Sequence, residues 1–540
     1  MLMKNAIIKL FSIVIVTLLS LTFTINTAFA GGTLIWGMSA DVGGLDPNAR
    51  IEASSHIQLG HAFENLVQRD WGYEKSPIGT SPLPLIGKLA ESWHWEGSEL
   101  IFDIRRGVKF HDGSELDANA IDFNIRRWWD KNFEYYYAPA STGPSFTMGM
   151  VKGVRVLSKY KIALNFGDSK NWNWIDFLGE MTFWAIVSPD SIKKYGNEAI
   201  AKNPSAASGT GPYIIKNYEP GKKLVLEKNN NYWGEKPNLD KIIFRFIPDS
   251  AARVAALLSG EVHIIDELDP DLMERVNNSG KAKVFLPGKP NAFSILPNVS
   301  QPPFNDIRVR EAASIAIDRK AIAEGLLLGS AKPAKGQLGL GNAAHNPDLP
   351  VIEYNPQRAK ELLKQAGYPN GINIKIRVPG SGCGMPKTVE VMEAVQGYWL
   401  QVGIKAEIFP MEWVEYVTWW ISEGVPKGSP YAAAPMCTGF GTPYVLEWYN
   451  ATHSQLPNGV NIRFYSNTNL DKIFEKGSSA EKHEDYVRLY RDIASSMVYQ
   501  DKVVIPIFYG LNPFGVSNKV SNWEPNTSWQ QLLVKAKIGN

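Results

Sequence analysis

The spacing of hydrophobic residues along this chain switches repeatedly between the period of a strand and that of a helix. Leu100, Phe102 and Ile104 alternate with polar residues, which is typical of a strand with one buried face. In the first half the pattern predicts a strand over 33–37, a helix over 56–67, the strand at 100–104, and a helix capped by Asp117. In the second half it predicts helices over 356–367, 386–402 and 486–497, with strands over 372–378 and 405–409. The strand–helix–strand order with short connections favours a parallel α/β fold there.

The stretch from Phe293 to Ile317, near the middle of the chain, changes from extended to helical. Prolines such as Pro302 and Pro303 exclude both a helix and a central strand between the two parts. Asn305 or Asp306 can then cap the helix that follows. Two interpretations fit this stretch: a connector between two lobes, or an ordinary strand-to-helix loop within one large domain.

The length of the chain bears on the number of structural units. A chain of 540 residues is too long for one hydrophobic core and should divide into two or three units. The stretch from Val503 to Phe508, interrupted by Pro506, predicts a return connection to the first unit.

The first 30 residues have the features of a secretory signal peptide. Lys4 and Lys9 precede an apolar run over 10–21, and Ala28 and Ala30 flank a small-x-small cleavage site. Cleavage after Ala30 would make Gly31 the first mature residue. No cysteine stands at this site to receive a lipid, so we expect a free exported protein.

Composition and charge exclude several functions. Loss of Lys4 and Lys9 leaves 54 basic residues against 54 acidic ones, so neither nucleic acid nor an anionic membrane is expected as main partner. The 17 tryptophans suit buried cores, and they also suit a cleft for sugars, rings or cations. The two cysteines, Cys383 and Cys437, allow at most one disulfide bond, which export would permit.

Motifs for catalysis and for metal binding are absent from the sequence. There is no Walker loop, HExxH, GxSxG or paired-cysteine zinc spacing. The run Gly339 to Ala344 fits a loose GxGxxA, but no predicted strand precedes it. His56 and His61 would lie on different sides of their helix. We therefore predict no catalytic residue, metal or cofactor, although an exported hydrolase with Cys383 as nucleophile remains an alternative.

Several short motifs, spaced along most of the mature chain, resemble the signature of one bacterial family. The chain is similar to the bacterial extracellular solute-binding proteins, family 5, which are dipeptide, oligopeptide and nickel receptors of ABC importers. The matching runs, in order, are LAESW (89–93), RGVKFHDG (106–113), GTGPY (209–213), NNNYW (229–233), LLSGEVHI (257–264), PFND (303–306), VREA (309–312) and AIDR (316–319).

The resemblance implies a large, cluster C-like periplasmic binding protein of the α/β class, with two lobes joined by a hinge. The first lobe would comprise residues 31–297 plus 504–540, and the second residues 298–503. Such a receptor encloses a small-molecule or peptide ligand between its lobes and delivers it to a membrane permease. A monomer that closes on its ligand is the expected form. Signalling to a sensor kinase in place of a permease is equally compatible with the sequence.

Candidate ligand contacts come from the same resemblance and from loops that follow predicted strands. The segment 412–416 resembles the one before the family's contact loop, and 436–444 resembles that loop itself. Arg377 could hold a carboxylate or lie exposed on its strand, and Trp184 could reach the cleft or pack inside the first lobe. The candidate residues are Trp184, Asn298, Arg377, Cys383, Trp413, Cys437, Thr438, Phe440, Thr442 and Tyr444.

Two departures from the family's contact loop bear on the ligand. Cys437 stands where peptide receptors usually carry Trp, and Thr442 stands about where an Asp holds the peptide ammonium group. Unless Glu447 reaches back, a peptide amino terminus would lack its counter-charge. We therefore favour a non-peptide organic solute over a dipeptide. We also hypothesise a disulfide between Cys383 and Cys437, with two buried free thiols as the alternative.

Overall fold

The structure is a computed structural model that describes residues 31–70, 85–179, 182–380, 385–456, 459–527 and 530–539. The predicted signal peptide and Cys383 lie outside these ranges. The strands, in chain order, are β1 (Thr33–Met38), β2 (Val67–Arg69), β3 (Leu85–Gly87), β4 (Ala90–Glu96), β5 (Glu99–Ile104), β6 (Gly153–Ser158), β7 (Lys161–Asn165), β8 (Tyr213–Glu219), β9 (Lys223–Lys228), β10 (Lys241–Phe246), β11 (Ile264–Ile265), β12 (Ala282–Phe285), β13 (Gly288–Pro297), β14 (Ala331–Pro333), β15 (Ile372–Pro379), β16 (Ile404–Met411), β17 (Ala433–Thr438), β18 (Ile505–Leu511), β19 (Phe514–Ser517), β20 (Val520–Ser521) and β21 (Lys537–Ile538).

The helices lie between these strands in both halves of the chain. They are α1 (Ala53–Leu59), α2 (Ala118–Trp129), α3 (Ser145–Met148), α4 (Trp172–Leu178), α5 (Pro189–Tyr195), α6 (Asn197–Ile200), α7 (Ser250–Ser259), α8 (Met273–Asn277), α9 (Ile307–Ile315), α10 (Arg319–Ala321), α11 (Pro356–Gln365), α12 (Thr388–Val402), α13 (Trp413–Ser422), α14 (Val445–Asn450), α15 (Thr468–Ser478) and α16 (His483–Tyr499). As predicted, the Asp117 carboxylate caps α2 and the Asp306 carboxylate caps α9.

Two large mixed sheets form the centres of the two lobes. The first has the order β12-β19-β11-β1-β10-β9-β8, and β1 runs parallel to β10 and β11. The second has the order β14-β18-β13-β17-β15-β16, and β15 runs parallel to β16 and β17. The mixture of helices and parallel and antiparallel strands agrees with the α/β class and two-lobe fold. A smaller antiparallel sheet, β4-β5-β7-β6, accompanies the first lobe.

The chain passes between the two large sheets at two short connections. β12 belongs to the first sheet, and β13 pairs with β17 and β18 inside the second, so residues 286–287 join the sheets. β18 belongs to the second sheet and β19 to the first, so residues 512–513 make the return. The prolines at 302 and 303 follow β13 and lie beyond the first of these connections.

The predicted helix over 56–67 is wrong beyond its first turn. α1 ends at Leu59, and Val67 begins β2. The carbonyls of His61 and Ala62 accept hydrogen bonds from the amides of Tyr213 and Gly211, far along the chain. Pairing with this distant segment therefore replaces the local bonds that a longer helix would need.

Several motif residues form a buried polar network inside the first lobe. The Glu64 carboxylate accepts hydrogen bonds from Thr210, Tyr232 and Trp233, at 2.8, 2.7 and 2.9 Å. Lys88 completes the network with an ion pair to Glu64 at 3.1 Å. The runs GTGPY and NNNYW are thus held together by one carboxylate, which gives them a structural role.

Candidate ligand-binding cleft

The carboxyl ends of parallel strands from both sheets lead towards the connections between the lobes. Ligands in open α/β sheets bind in the crevice outside such strand ends. In the first lobe, Ser39 follows β1 and Asp266 follows β11. The Ser39 amide and hydroxyl donate to the two oxygens of Asp266, at 2.8 and 3.0 Å. In the second lobe, Gly439 follows β17.

An irregular segment of β13 brings these two sets of residues together. The register between β13 and β18 shifts between Gly288 and Ala292, so residues 289–291 form a bulge, a feature that re-aims side chains. Lys289 and Asn291 in this bulge are both buried. A Cβ on Gly439 would lie 3.5 Å from the amide atoms of Asn291.

The opposite side of the bulge is equally close-packed. A Cβ on Gly510 would lie 3.0 Å from Met385 Sδ and 3.8 Å from Lys289 Cδ. Asn512, on the return connection, donates its backbone amide to the Pro287 carbonyl, and its buried Oδ1 has no hydrogen-bond partner in the part of the chain that the structure describes. We call the group formed by Ser39, Asp266, Lys289, Asn291, Gly439, Gly510 and Asn512 the crevice.

Two buried ionisable groups give the crevice its electrostatic character. Burial, and then the neighbouring Glu267 carboxylate, raise the pKa of Asp266 to about 7, against the Ser39 hydrogen bonds. Burial lowers the pKa of the Lys289 ammonium, while Glu267 and Asp266 act against that shift. The crevice therefore holds a buried cation beside a carboxyl group that is easily protonated near neutral pH.

A second set of contacts joins the lobes through α4, and we call it the interlobe contact. The Asn173 side chain donates to Glu447 Oε2 at 2.9 Å and accepts from the Tyr490 hydroxyl at 3.2 Å. Tyr490 also hydrogen-bonds to Glu447 within the second lobe. The imidazole of His453 lies 3.3 Å from the other Glu447 oxygen. Both oxygens of this carboxylate thus have partners.

Asp176, one turn further along α4, is the most deeply buried acid of the interlobe contact. It pairs with Arg69 of the first lobe at 2.6 Å and with His483 of the second at 2.8 Å. Burial alone would raise the pKa of Asp176, but Arg69, His483 and the neighbouring Thr442 hydroxyl outweigh it and hold the pKa below its usual value. The carboxylate is ionised and fully paired.

Aromatic side chains complete the interlobe contact. The ring of Phe177 packs 5.1 Å from Phe440 and 6.5 Å from Tyr444, both on the loop that starts at Gly439. Trp172 donates its indole N–H to the Ala480 carbonyl at 2.7 Å. One loop of the second lobe therefore takes part in both the crevice and the interlobe contact.

The structure brings together one group of the predicted site residues. Phe440, Thr442 and Tyr444 lie in the interlobe contact, and Thr438 donates its hydroxyl to the Gln337 carbonyl behind the loop. Cys437 is buried and disulfide-bonded. Cys383, the only other cysteine of the chain, lies outside the described residues.

The remaining predicted residues lie away from the crevice. Trp184 is fully buried in the first-lobe core against Trp128 and Trp174. Arg377 stacks between the rings of Trp419 and Tyr431, at 4.9 and 4.5 Å, so it does not lie free to hold a carboxylate. The last two residues have local contacts within the second lobe: Asn298 bonds to Ser300 and Pro426 beyond the far end of β13, and half-buried Trp413 stacks on Tyr416.

Asn342 is a residue that the sequence analysis missed. Its side-chain amide donates to the carbonyls of Phe440 and Thr442, each at 2.9 Å, and the next backbone amide, Ala343, donates to Gly441 at 2.7 Å. The sequence analysis considered the surrounding run, Gly339 to Ala344, only as a possible nucleotide-binding motif and rejected it. The glycines of this run could have indicated that its backbone packs closely against another segment. A Cβ on Gly339 would lie 2.4 Å from the Pro290 backbone.

Neither a metal cluster nor a membrane-crossing helix is found in the part of the chain that the structure describes. No three His, Cys, Asp or Glu side chains converge there as metal ligands would. His56 bonds to the Thr182 hydroxyl and His61 to the Ile57 carbonyl, in separate places. Within the same ranges, every helix is too short or too polar to cross a bilayer.

Two relatives and one solved structure resemble this chain over most of its length. Heme-binding protein A of Haemophilus influenzae is 27% identical over 503 residues, which cover 89% of this chain and 87% of that protein. The dipeptide-binding protein of Pseudomonas aeruginosa is 25% identical over 531 residues, covering 91% and 96%. The solved structure of HbpA2 from Haemophilus parasuis superposes with a TM-score of 0.82 at 22% identity, covering 94% of this chain and all of that one.

The family model that matches this chain describes bacterial extracellular solute-binding proteins, family 5 Middle. It aligns to residues 84–427, which is more than half of the 540 residues. The match includes β3 to β16 and therefore parts of both lobes. This chain belongs to the bacterial extracellular solute-binding proteins of family 5.

Proposed function

We propose that this protein is the periplasmic receptor of an ABC importer, which encloses a small organic solute in the crevice and presents it to a membrane permease. The observation that carries the proposal is the arrangement of the lobes. Two short connections join them, and a separate paired contact through α4 holds them together beside the crevice. Such an arrangement lets ligand binding shift the population towards the closed form.

Strand pairing supports lobe limits slightly different from those predicted from the sequence. Because β13 and β18 both lie in the second sheet, we place the second lobe at residues 288–511 and the first at 31–285 plus 514–539. Export to the periplasm, with cleavage after Ala30, follows from the signal features of the sequence. We further propose a monomer without enzymatic activity, in keeping with a family of binding proteins.

A non-peptide organic solute is the ligand class that the site supports best. Thr442 lacks the charge that would anchor a peptide ammonium group, and Glu447, the nearest acid downstream, is already paired to Asn173, Tyr490 and His453. Asp176 is paired as well. Capture of an ammonium group by either carboxylate would therefore break existing bonds.

A peptide is the second candidate. Relatives that cover most of this chain are named as binding dipeptides or di- and tripeptides. Asp266 is the acid of the crevice, but both its oxygens accept hydrogen bonds from Ser39, and its pKa of about 7 makes it a weak anchor at neutral pH.

A binding panel tests the proposed function. Thermal shift, followed by calorimetry, would compare di- and tripeptides with oligosaccharides, opine-like compounds, haem and metal chelates. We expect a saturable ligand outside the peptides, and a smaller radius of gyration by small-angle scattering when it is bound. Sub-micromolar binding of an ordinary dipeptide would favour the second candidate. Cleavage of any panel member, rather than reversible binding, would contradict the receptor function.

A further inference from the structure

We propose that Asn342 is a positioning residue, which fixes the loop over 439–444 in the conformation that contacts the first lobe when the lobes close. The inference rests on the proposed function in taking closure as the functional motion, but its test needs no ligand. It draws on three sets of contacts. These join Asn342 to the loop, the loop to α4, and the turn that carries Asn342 to the connection between the lobes.

Asn342 and the residue after it hold three consecutive carbonyl groups of the loop. The side-chain amide of Asn342 donates to the carbonyls of Phe440 and Thr442, each at 2.9 Å. Between them, the Gly441 carbonyl accepts from the backbone amide of Ala343 at 2.7 Å. Only 1% of Asn342 is exposed, so these hydrogen bonds are shielded from water.

The side chain of Asn342 has one defined orientation. Its Oδ1 accepts a hydrogen bond from the backbone amide of Ala344 at 2.9 Å. Exchanging the oxygen and nitrogen of this side chain would set an N–H group against the Ala344 N–H, and an oxygen against two carbonyl oxygens. The contacts on both sides of the amide therefore fix its direction, and with it the path of the loop.

Two side chains of the loop connect these fixed positions to the first lobe. The ring of Phe440 packs 5.1 Å from that of Phe177 on α4, and the Thr442 hydroxyl hydrogen-bonds to Asp176 on the same helix. Both belong to residues whose carbonyls Asn342 binds. A hydrogen bond is lost once its donor and acceptor are more than about 3.5 Å apart, so a small displacement of this backbone would break the contact with Asp176.

The turn over 339–344, which carries Asn342, is anchored where the lobes are joined. The backbone amide of Gly341 donates to the Lys289 carbonyl at 3.2 Å, two residues after the first connection. A Cβ on Gly341 would lie 3.2 Å from the carbonyl oxygen of Thr527, which belongs to the first lobe. The turn thus lies between the connection and the loop, and it carries the position of one to the other.

Asn461 is a matched control in the same lobe. It is fully buried, and its side-chain amide donates to the carbonyls of Asn450, Ala451 and Tyr465 at 3.2, 3.0 and 2.8 Å. Its Oδ1 accepts from the Tyr465 amide, as the Oδ1 of Asn342 accepts from a nearby amide. Its partners are not part of the interlobe contact. Replacing Asn461 therefore removes the same kind of bonds from a place that does not meet α4.

The test measures hydrogen–deuterium exchange by mass spectrometry and the radius of gyration by small-angle scattering, on purified protein without added ligand. Asn342→Ala should speed amide exchange by about tenfold in the loop over 439–444 and in α4, because the loop loses bonds to two carbonyls. It should also increase the radius of gyration. Asn461→Ala should leave exchange in α4 within about twofold of wild type.

Exchange in α4 is the decisive readout, because α4 lies in the other lobe from Asn342. Faster exchange in the loop alone would show a local structural role and overturn the inference. An equal increase in α4 for Asn461→Ala would overturn it as well, since general destabilisation would then explain both variants.

Leu340→Ala provides a second readout should Asn342→Ala not fold. Leu340 packs the same turn onto the start of β13, where a Cβ on Gly288 would lie 2.7 Å from its own Cβ. Its truncation should speed exchange in the same two segments, and unchanged exchange in α4 would contradict the inference. None of these outcomes bears on the receptor function, which fails only if the ligand panel finds no binding or finds cleavage.

Discussion

The interlobe contact and the crevice are both built from buried polar residues. They differ in how hydrogen bonds and burial affect the charges of those residues. Around α4, the carboxylates of Asp176 and Glu447 have cationic or hydrogen-bonding partners on both oxygens. In the crevice, Asn512 Oδ1 lacks a hydrogen-bond partner among the described residues, and burial disfavours the charged forms of Lys289 and Asp266. Buried polar groups that are fully paired stabilise one arrangement, whereas incompletely paired ones favour a further partner.

This difference suggests a division of labour between closure and recognition. The paired groups around α4 come from both lobes, so their free energy depends on how the lobes meet. The crevice groups come from both lobes as well, so a ligand that contacts them would favour the closed form. The loop from Gly439 to Tyr444 takes part in both regions, and Asn342 fixes its backbone.

The largest effect is expected where a buried charge loses its partner. Arg69→Met leaves the buried Asp176 carboxylate with His483 and the Thr442 hydroxyl but without its guanidinium partner, and should lower the free energy of unfolding by about 3–5 kcal/mol. Urea denaturation would measure this. Arg245→Met, which removes an exposed pair with Glu261, is the control and should cost less than about 1 kcal/mol. Equal losses of unfolding free energy in both variants would show that the buried Arg69–Asp176 pair stabilises the protein no more than an exposed pair does.

The disulfide should give a comparable effect, because it anchors the strand that leads into the loop at Gly439. Cys437→Ala should lower the free energy of unfolding by about 4 kcal/mol in the chain-entropy account. Wild type treated with dithiothreitol should show the same loss, and the variant should not respond to the reagent. Two free thiols in denatured, unreduced wild type would exclude the bond and support buried free cysteines.

Asp266 should make the crevice region sensitive to pH. Its folded pKa of about 7 lies above its unfolded value near 3.8, so the folded protein binds the extra proton between these values. Stability from this group is therefore full below about pH 4 and falls as pH rises to about 7, by roughly 4 kcal/mol. In Asp266→Asn, the free energy of unfolding should decrease less over the same pH range. Denaturation midpoints at several pH values, compared between wild type and variant, would measure it, and parallel curves would contradict the assignment.

The smallest effect concerns closure alone. Asn173→Ala removes one donor and one acceptor that connect the lobes, while Glu447 and Tyr490 stay bonded to each other. We expect closure to weaken by about 1–2 kcal/mol, which would increase the radius of gyration in small-angle scattering. The exposed Asn469→Ala is the control. If both variants scatter as wild type does, the Asn173 bonds do not govern closure.

Prediction from sequence succeeded where the information was local. The period of apolar residues predicted the second-lobe strands and helices within a few residues, and capping residues such as Asp117 and Asp306 marked helix starts correctly. Short motifs indicated the family. The helix predicted over 56–67 failed because its second half bonds to residues 211–213.

The candidate site was harder to predict than the fold. Arg377 and Trp184 have the right chemistry for a cleft, yet one is stacked between rings and the other is buried in a core. Asn342 attracted no attention as a positioning residue, because a buried polar residue has the same appearance in a sequence as an exposed one.

The sequence by itself determined the elements, the lobed α/β architecture and membership of the receptor family, since these depend on periodicity, capping and short motifs. Only the tertiary structure decided which charges pair across the lobes and which are buried in the crevice. Asp176 meets Arg69 across 107 positions and His483 across 307, and no local pattern encodes such partners. Burial and pairing of polar groups are properties of the assembled lobes, and they separate the groups that close this protein from those proposed to bind its ligand.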